Sequence, residues 1–123
     1  MTVVLVLLGG ALGAPLRYRT DLLVQSRHDS VLPWGTLSVN VSGSLVLGAT
    51  AAAVSTHGAP GWVLTLVGTG FCGALTTFST FGFETVRLVE GGSWSEALAN
   101  VALSIAAGLG ACAAGWALVA ALG

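Results

Sequence analysis

The chain has 123 residues, a net charge of −1, 54% hydrophobic residues and only 7% charged ones, with no Lys. Soluble domains carry about 25% charged residues, so this chain lacks the polar surface of a water-soluble fold, and its charge balance argues against nucleic acid as a partner. A span takes roughly 20 mostly apolar residues and mean hydropathy is +0.90, so the chain reads as one all-α transmembrane domain over residues 1–123, with four helical spans joined by short loops.

Span one is expected over residues 2–24. The stretch Met1–Leu16 has no basic segment before its apolar run and further apolar stretches follow, so it reads as a membrane helix rather than a signal peptide. Gly9 and Gly13 have the small-xxx-small spacing that lets helix backbones approach closely in lipid. Gly13-Ala14-Pro15 predicts a weakened or bent turn. Arg17 and Arg19 end the dry part of the span. They fit either interfacial snorkelling or a positive vestibule that gathers anions. The first loop, residues 25–30, holds Arg27, His28 and Asp29.

Span two is expected over residues 32–54. Pro33 suits a first helical turn, and Trp34 suits the membrane interface. Thr36, Asn40, Ser44 and Gly48 recur every four residues and line one stripe. Asn40 can make a helix–helix hydrogen bond, worth about 1 kcal/mol in membranes, or donate its amide to an anion. One structural bond does not need three polar positions, so the stripe favours a polar path. His57 lies in the second loop, and Trp62 marks the next interface.

Span three is expected over residues 61–88 and is not expected to be one continuous helix. Gly68, Gly70 and Gly73 precede Thr76-Thr77-Phe78-Ser79-Thr80-Phe81-Gly82. Each Gly costs about 1 kcal/mol relative to Ala, and Thr and Ser are weak helix formers. A break is predicted near residues 73–79. Non-helical backbone at membrane depth survives only where protein buries it or a cavity solvates it. The hydroxyls of Thr76, Thr77, Ser79 and Thr80 can repair that break or donate to an anion, and carbonyls freed there can bind a cation. Phe78 and Phe81, three apart, share a side of any resumed helix. They fit ordinary packing, or ring edges, slightly positive, turned toward a small anion. Glu84, Glu90 and Glu96 read as solvated or interfacial.

Span four is expected over residues 94–122, with a close-packing face of Ala107, Ala111 and Gly115. Cys72 and Cys112 are isolated in apolar sequence and read as small buried hydrophobes. No Gly-rich phosphate loop followed by Lys, no His and carboxylate cluster within a span and no activated Ser argue for an enzyme.

Three strings together are distinctive. Gly9-Gly10-Ala11-Leu12-Gly13-Ala14 with Arg17-Tyr18 opens the chain. Gly35-Thr36-Leu37-Ser38-Val39-Asn40-Val41-Ser42-Gly43-Ser44 lies in span two. Gly73-Ala74-Leu75-Thr76-Thr77-Phe78-Ser79-Thr80-Phe81, then Glu84, lies in span three. Over essentially its whole length the chain resembles the CrcB/Fluc family of fluoride channels.

That resemblance implies a bacterial plasma-membrane channel that exports fluoride and so relieves its toxicity. It implies an antiparallel, dual-topology dimer with two pores, each lined by both subunits. It also implies a structural, non-transported Na+ at the dimer centre, held by the backbone carbonyls of Gly73 and Thr76. Pore roles fall on Asn40, Phe78, Ser79, Thr80, Phe81 and Ser104. Asn100 stands where the family usually has Tyr.

A small four-span multidrug transporter is the competing class. It needs a membrane-embedded carboxylate, and only Glu84, past the break, is a candidate. A non-transporting assembly subunit is a third reading. All four basic residues, Arg17, Arg19, Arg27 and Arg87, fall on or beside the first and third loops. The positive-inside rule would place those loops in the cytoplasm. The subunit therefore reads as pairing with an oppositely inserted homologue, with a dual-topology homodimer as the alternative.

Overall fold

A computed structural model describes residues 2–27 and 34–122. Residues 28–33, which include His28, Asp29 and Pro33, lie outside the described residues, and so does the side chain of Arg27. Every regular element described is helical. Helix α1 spans Thr2–Arg27, and α2 spans Trp34–Thr56. Helix α3 covers residues 61–75; it is α-helical at Gly61–Val63 and Gly73–Leu75 and π-helical between them, over Leu64–Cys72. Helix α4 is Phe78–Glu90 and α5 is Trp94–Ala121.

Among the described residues three stretches are long and apolar enough to cross a membrane: Trp34–Thr56, Gly61–Glu90 and Trp94–Ala121. The first helix is equally long, but Arg17, Arg19, Asp21 and Arg27 charge its second half. It runs unbroken through Pro15, where a weakened turn was expected. Pro15 removes one backbone donor, and the seam that α1 makes with α3 holds the helix on the N-terminal side of that gap.

That seam is built from small residues. A Cβ at Gly9 would collide with the Leu66 carbonyl and the Phe71 amide, and one at Gly13 with the Phe71 carbonyl. A second seam joins α2 to α5: Gly48 lies against the Cys112 carbonyl, and Gly115 against that of Leu45. Lipid provides no hydrophobic drive between helices, so close backbone packing of this kind supplies the cohesion. At the end of this pair the His57 Nε2–H donates to the Val119 carbonyl at 2.6 Å.

Two turns use left-handed glycines. Gly58 (φ 71°) ends α2 before Pro60, and Gly92 (φ 82°) turns α4 into α5. The buried apolar core is small, with Val39, Ala52, Cys72, Leu75, Leu88 and Ala97. Cys112 is only half-buried. Much larger side chains, such as Leu7, Leu12, Phe78, Leu98 and Leu109, are exposed on the single chain. A membrane protein can leave them so, because lipid or another subunit covers them.

The π-helical stretch was not foreseen. It coincides with Gly68 and Gly70, and the Gly73 amide still reaches back to the Gly68 carbonyl. The helix ends at Leu75. Thr76 (φ −80°, ψ 161°) and Thr77 (φ −150°, ψ 124°) are extended before α4 begins.

Candidate functional site at the helix interruption

Extended backbone at Thr76 and Thr77 withdraws two helical amides from their usual acceptors. In a continuous helix the Thr77 N–H would bond the Gly73 carbonyl. Instead it donates to Asn40 Oδ1 at 2.7 Å. Asn40 Nδ2 donates to the Thr77 carbonyl at 3.1 Å. The carboxamide thus pairs with both backbone groups of one residue and takes the place of a helical neighbour. Membrane interiors demand such internal satisfaction. Asn40 retains one amide hydrogen beyond this pairing.

Thr77 then caps α4. Its Oγ1 accepts from the Thr80 amide at 3.1 Å and donates to Thr80 Oγ1 at 3.0 Å. The Thr80 N–H is therefore turned away from the Thr76 carbonyl. The carbonyls of Gly73 and Thr76 are among those that have lost their helical donors. Arg17 Nη1 donates to the Thr76 carbonyl at 3.5 Å, a long bond. Among the described residues no group of three His, Cys, Asp or Glu could hold a metal ion, so a cation here would rely on backbone oxygen. Two carbonyls supply a minority of the six or more oxygens that a hard cation takes.

A cavity of about 370 Å³ opens beside this point. It brings together Asn40, Gly73, Thr76, Phe78, Phe81 and Ser104. The Phe78 and Phe81 ring centroids lie 5.8 Å apart with planes at 50°, and Phe78 is 83% exposed in the single chain. The first amides of α4 have no acceptor within their own helix, so its positive end lies beside this cavity.

Thr80 and Arg17 fall elsewhere. They line a smaller cavity, about 180 Å³, with Asp21 and Thr36. Ser79 is exposed and lies 3.4 Å from Thr77 Oγ1. Arg17 lines this second cavity. It is half-buried and directed at the interrupted backbone.

The stripe on α2 faces inward, but each member meets a different neighbour. The Thr36 hydroxyl donates to the Glu84 carboxylate, so Glu84 is half-buried and partnered, not simply solvated. Ser44 spends its proton on the Asn40 backbone carbonyl at 2.7 Å. Gly48 serves the α5 seam.

Two residues important here carried little signal in the sequence. Thr77 was one hydroxyl of four until its cap and its pairing with Asn40 were visible. Thr85 looked like an ordinary helical threonine, yet its Oγ1 accepts from Asn100 Nδ2 at 2.8 Å. A polar residue in an apolar helix was the available clue to Asn100, which is 4% exposed.

Residues 4–116 match the family described as CrcB-like protein, Camphor Resistance (CrcB). A Nocardia farcinica protein named fluoride-specific ion channel FluC 1 is 59% identical over 111 residues, covering 90% of this chain and 75% of the relative. A Frankia casuarinae protein of the same name is 54% identical over 123 aligned positions, 96% and 95% of the two chains. A third, from Streptomyces avermitilis, is 55% identical over 115 residues, 94% and 93% of the two chains.

Proposed function

The chain belongs to the CrcB-like family, and from that membership we propose that it is a fluoride-specific ion channel that carries fluoride out of the cytoplasm. It is a multi-pass membrane protein and not an enzyme. The observation that carries the reading is the cavity at the interrupted helix, where Asn40, Phe78, Phe81 and Ser104 converge. Fluoride is small and strongly hydrated. Replacing its water takes hydrogen-bond donors without a fixed cation that would trap it, because conduction needs binding weak enough to leave. Asn40 offers its spare amide hydrogen, Ser104 a hydroxyl, and the two rings their positive edges. Arg17 and Thr80 line the second cavity and Ser79 lies beside Thr77, which suits all three to the ion's approach.

With α1 taken as a fourth span beside the three apolar stretches, the path is proposed to lie in the plasma membrane. The exposed Phe78 ring fits a pore whose other wall comes from a second, oppositely oriented subunit. The Gly73 and Thr76 carbonyls suit a structural Na+, since neither has its helical donor. A matching pair from the second subunit would bring such a site nearer a full oxygen shell. Bound there, Na+ would supply fixed positive charge while this chain's carbonyls hold it.

Reconstituted vesicles loaded with fluoride provide the test. Wild-type protein, alone or with an oppositely inserted homologue, should release fluoride and not chloride. Removing Na+ should stop the release without Na+ itself crossing. Phe81→Ile should cut the rate at least about tenfold, the size of losing an aromatic contact worth about 1.4 kcal/mol. No fluoride release from well-folded protein, either alone or reconstituted with an oppositely inserted homologue, would end the channel reading; full release without Na+ would remove the cation alone.

Orientation is a separate question. Arg17, Arg19, Arg27 and Arg87 load one side, so the subunit is proposed to insert mainly one way and pair with an oppositely inserted homologue. A C-terminal orientation reporter should then read predominantly outside. Equal populations, or full activity from this chain expressed alone, would favour a homodimer of two orientations.

A further inference from the structure

Among the described residues six hydroxyls, five in helices on Ser38, Ser44, Thr50, Thr56 and Thr85 and one on Thr76 just past a helix end, donate to the carbonyl four residues back at 2.6–2.8 Å. This back-bonding is the usual resting place of a Ser or Thr proton in a membrane helix. Ser104 differs. Its hydroxyl is directed at the Asn100 side-chain oxygen, also four residues back, and the separation is 3.4 Å. That bond lies beyond the usual O–H···O range and is weak.

The orientation of Asn100 follows from its other contact. Thr85 gives its only proton to the Phe81 carbonyl at 2.8 Å, so it can only accept from Asn100. Nδ2 therefore faces Thr85 at 2.8 Å, and Oδ1 is left for Ser104. Asn100 itself is buried and does not line the cavity, whereas Ser104 does.

We propose that Asn100 is a positioning residue for fluoride passage: its side-chain oxygen draws the Ser104 hydroxyl off the α5 backbone and holds that proton loosely enough to be turned toward a passing fluoride. The inference rests on the channel reading above. A hydroxyl bonded to its own helix carbonyl at 2.7 Å presents lone pairs to the cavity, the wrong polarity for an anion. One held at 3.4 Å gives up little when it rotates. The two arms of Asn100 thus do different work. The Thr85 arm ties α5 to α4, while the Ser104 arm, which needs Oδ1 whether or not Thr85 is present, keeps a donor available.

The test is fluoride efflux from vesicles at graded fluoride concentration, with thermal unfolding of the same proteins in detergent. Asn100→Leu lets the Ser104 proton settle on the helix backbone. It should raise the half-saturating fluoride concentration roughly tenfold, as loss of one hydrogen bond to a charged group does. Ser104→Ala should do the same, and the double variant should be no worse than either single one. Thr85→Val should lower the unfolding temperature and leave the half-saturating concentration unchanged.

A merely structural Asn100 gives a different pattern: Thr85→Val reproduces the Asn100→Leu shift, or the Leu and Ala effects add. Either result overturns the proposal, and so does wild-type half-saturation in Ser104→Ala. That last variant and Thr85→Val remain decisive even if Asn100→Leu does not assemble. Wild-type vesicles without fluoride flux, with the oppositely inserted homologue present as well as without it, would remove the channel reading and this inference together, whereas flux with additive variants removes only the inference.

Discussion

Asn40→Asp is expected to lower fluoride flux at least about a hundredfold. The native amide donates to the Thr77 carbonyl and accepts from the Thr77 amide. A carboxylate keeps only the accepting half. It sets an anionic oxygen against the Thr77 carbonyl, and it leaves no donor for the permeating ion. A charged carboxylate in a span costs about 2.5–3.5 kcal/mol, which alone corresponds to about a hundredfold in population. Asn40→Ala loses the same two bonds without adding charge, so it should conduct better than the Asp variant. Protonation would return an O–H donor to the Asp side chain, so its flux should rise as the pH is lowered. Efflux from vesicles across a pH series is the measurement. Wild-type rates for Asn40→Asp at neutral pH would exclude this residue from the path.

Gly48→Ala is expected to destabilise the fold by about 1–3 kcal/mol, the cost of overpacking, although Ala is the better helix former. The added methyl would strike the Cys112 carbonyl, which is backbone and cannot rotate away. Gly110→Ala on α5 is the matched control, since a Cβ there meets nothing within 4 Å of the single chain. It should be neutral or gain up to about 1 kcal/mol in helix propensity. Unfolding of the two purified variants in detergent reads the difference directly. Equal stability would show that the α2–α5 seam can shift to admit a side chain, contrary to the close approach at Gly48 and Gly115.

The seams and the site differ in how far they could be read in advance. Gly9, Gly13 and Gly115 stood out because small residues at helical spacing have a direct meaning in lipid. Their targets, the Leu66, Phe71 and Leu45 carbonyls, had no such signature. The hydroxyl run after Gly73 drew attention to residues 73–79 because helix propensity is local. Which amide would satisfy the exposed backbone was not local at all. Asn40 and Thr77 are 37 residues apart, and Thr36 and Glu84 are 48 apart.

Composition, charge and hydropathy were enough to determine a helical membrane protein with little room outside its spans. These properties depend on each residue's own transfer free energy, and the solvent acts on them before any tertiary contact exists. Residue type also limited the chemistry to amide, hydroxyl, ring edge and backbone oxygen, since the apolar stretches offer almost nothing else. Only the tertiary structure decided which of these groups are already spent. Ser44 and Thr76 give their protons to their own helices, Asn40 is divided between clasp and cavity, and Arg17 is turned toward the Thr76 carbonyl. Ser104 alone of the cavity's hydroxyls is held by a weak side-chain bond. A hydrogen bond needs its partners within about 3 Å and aligned, so its choice among many nearly equal donors follows from how the helices pack.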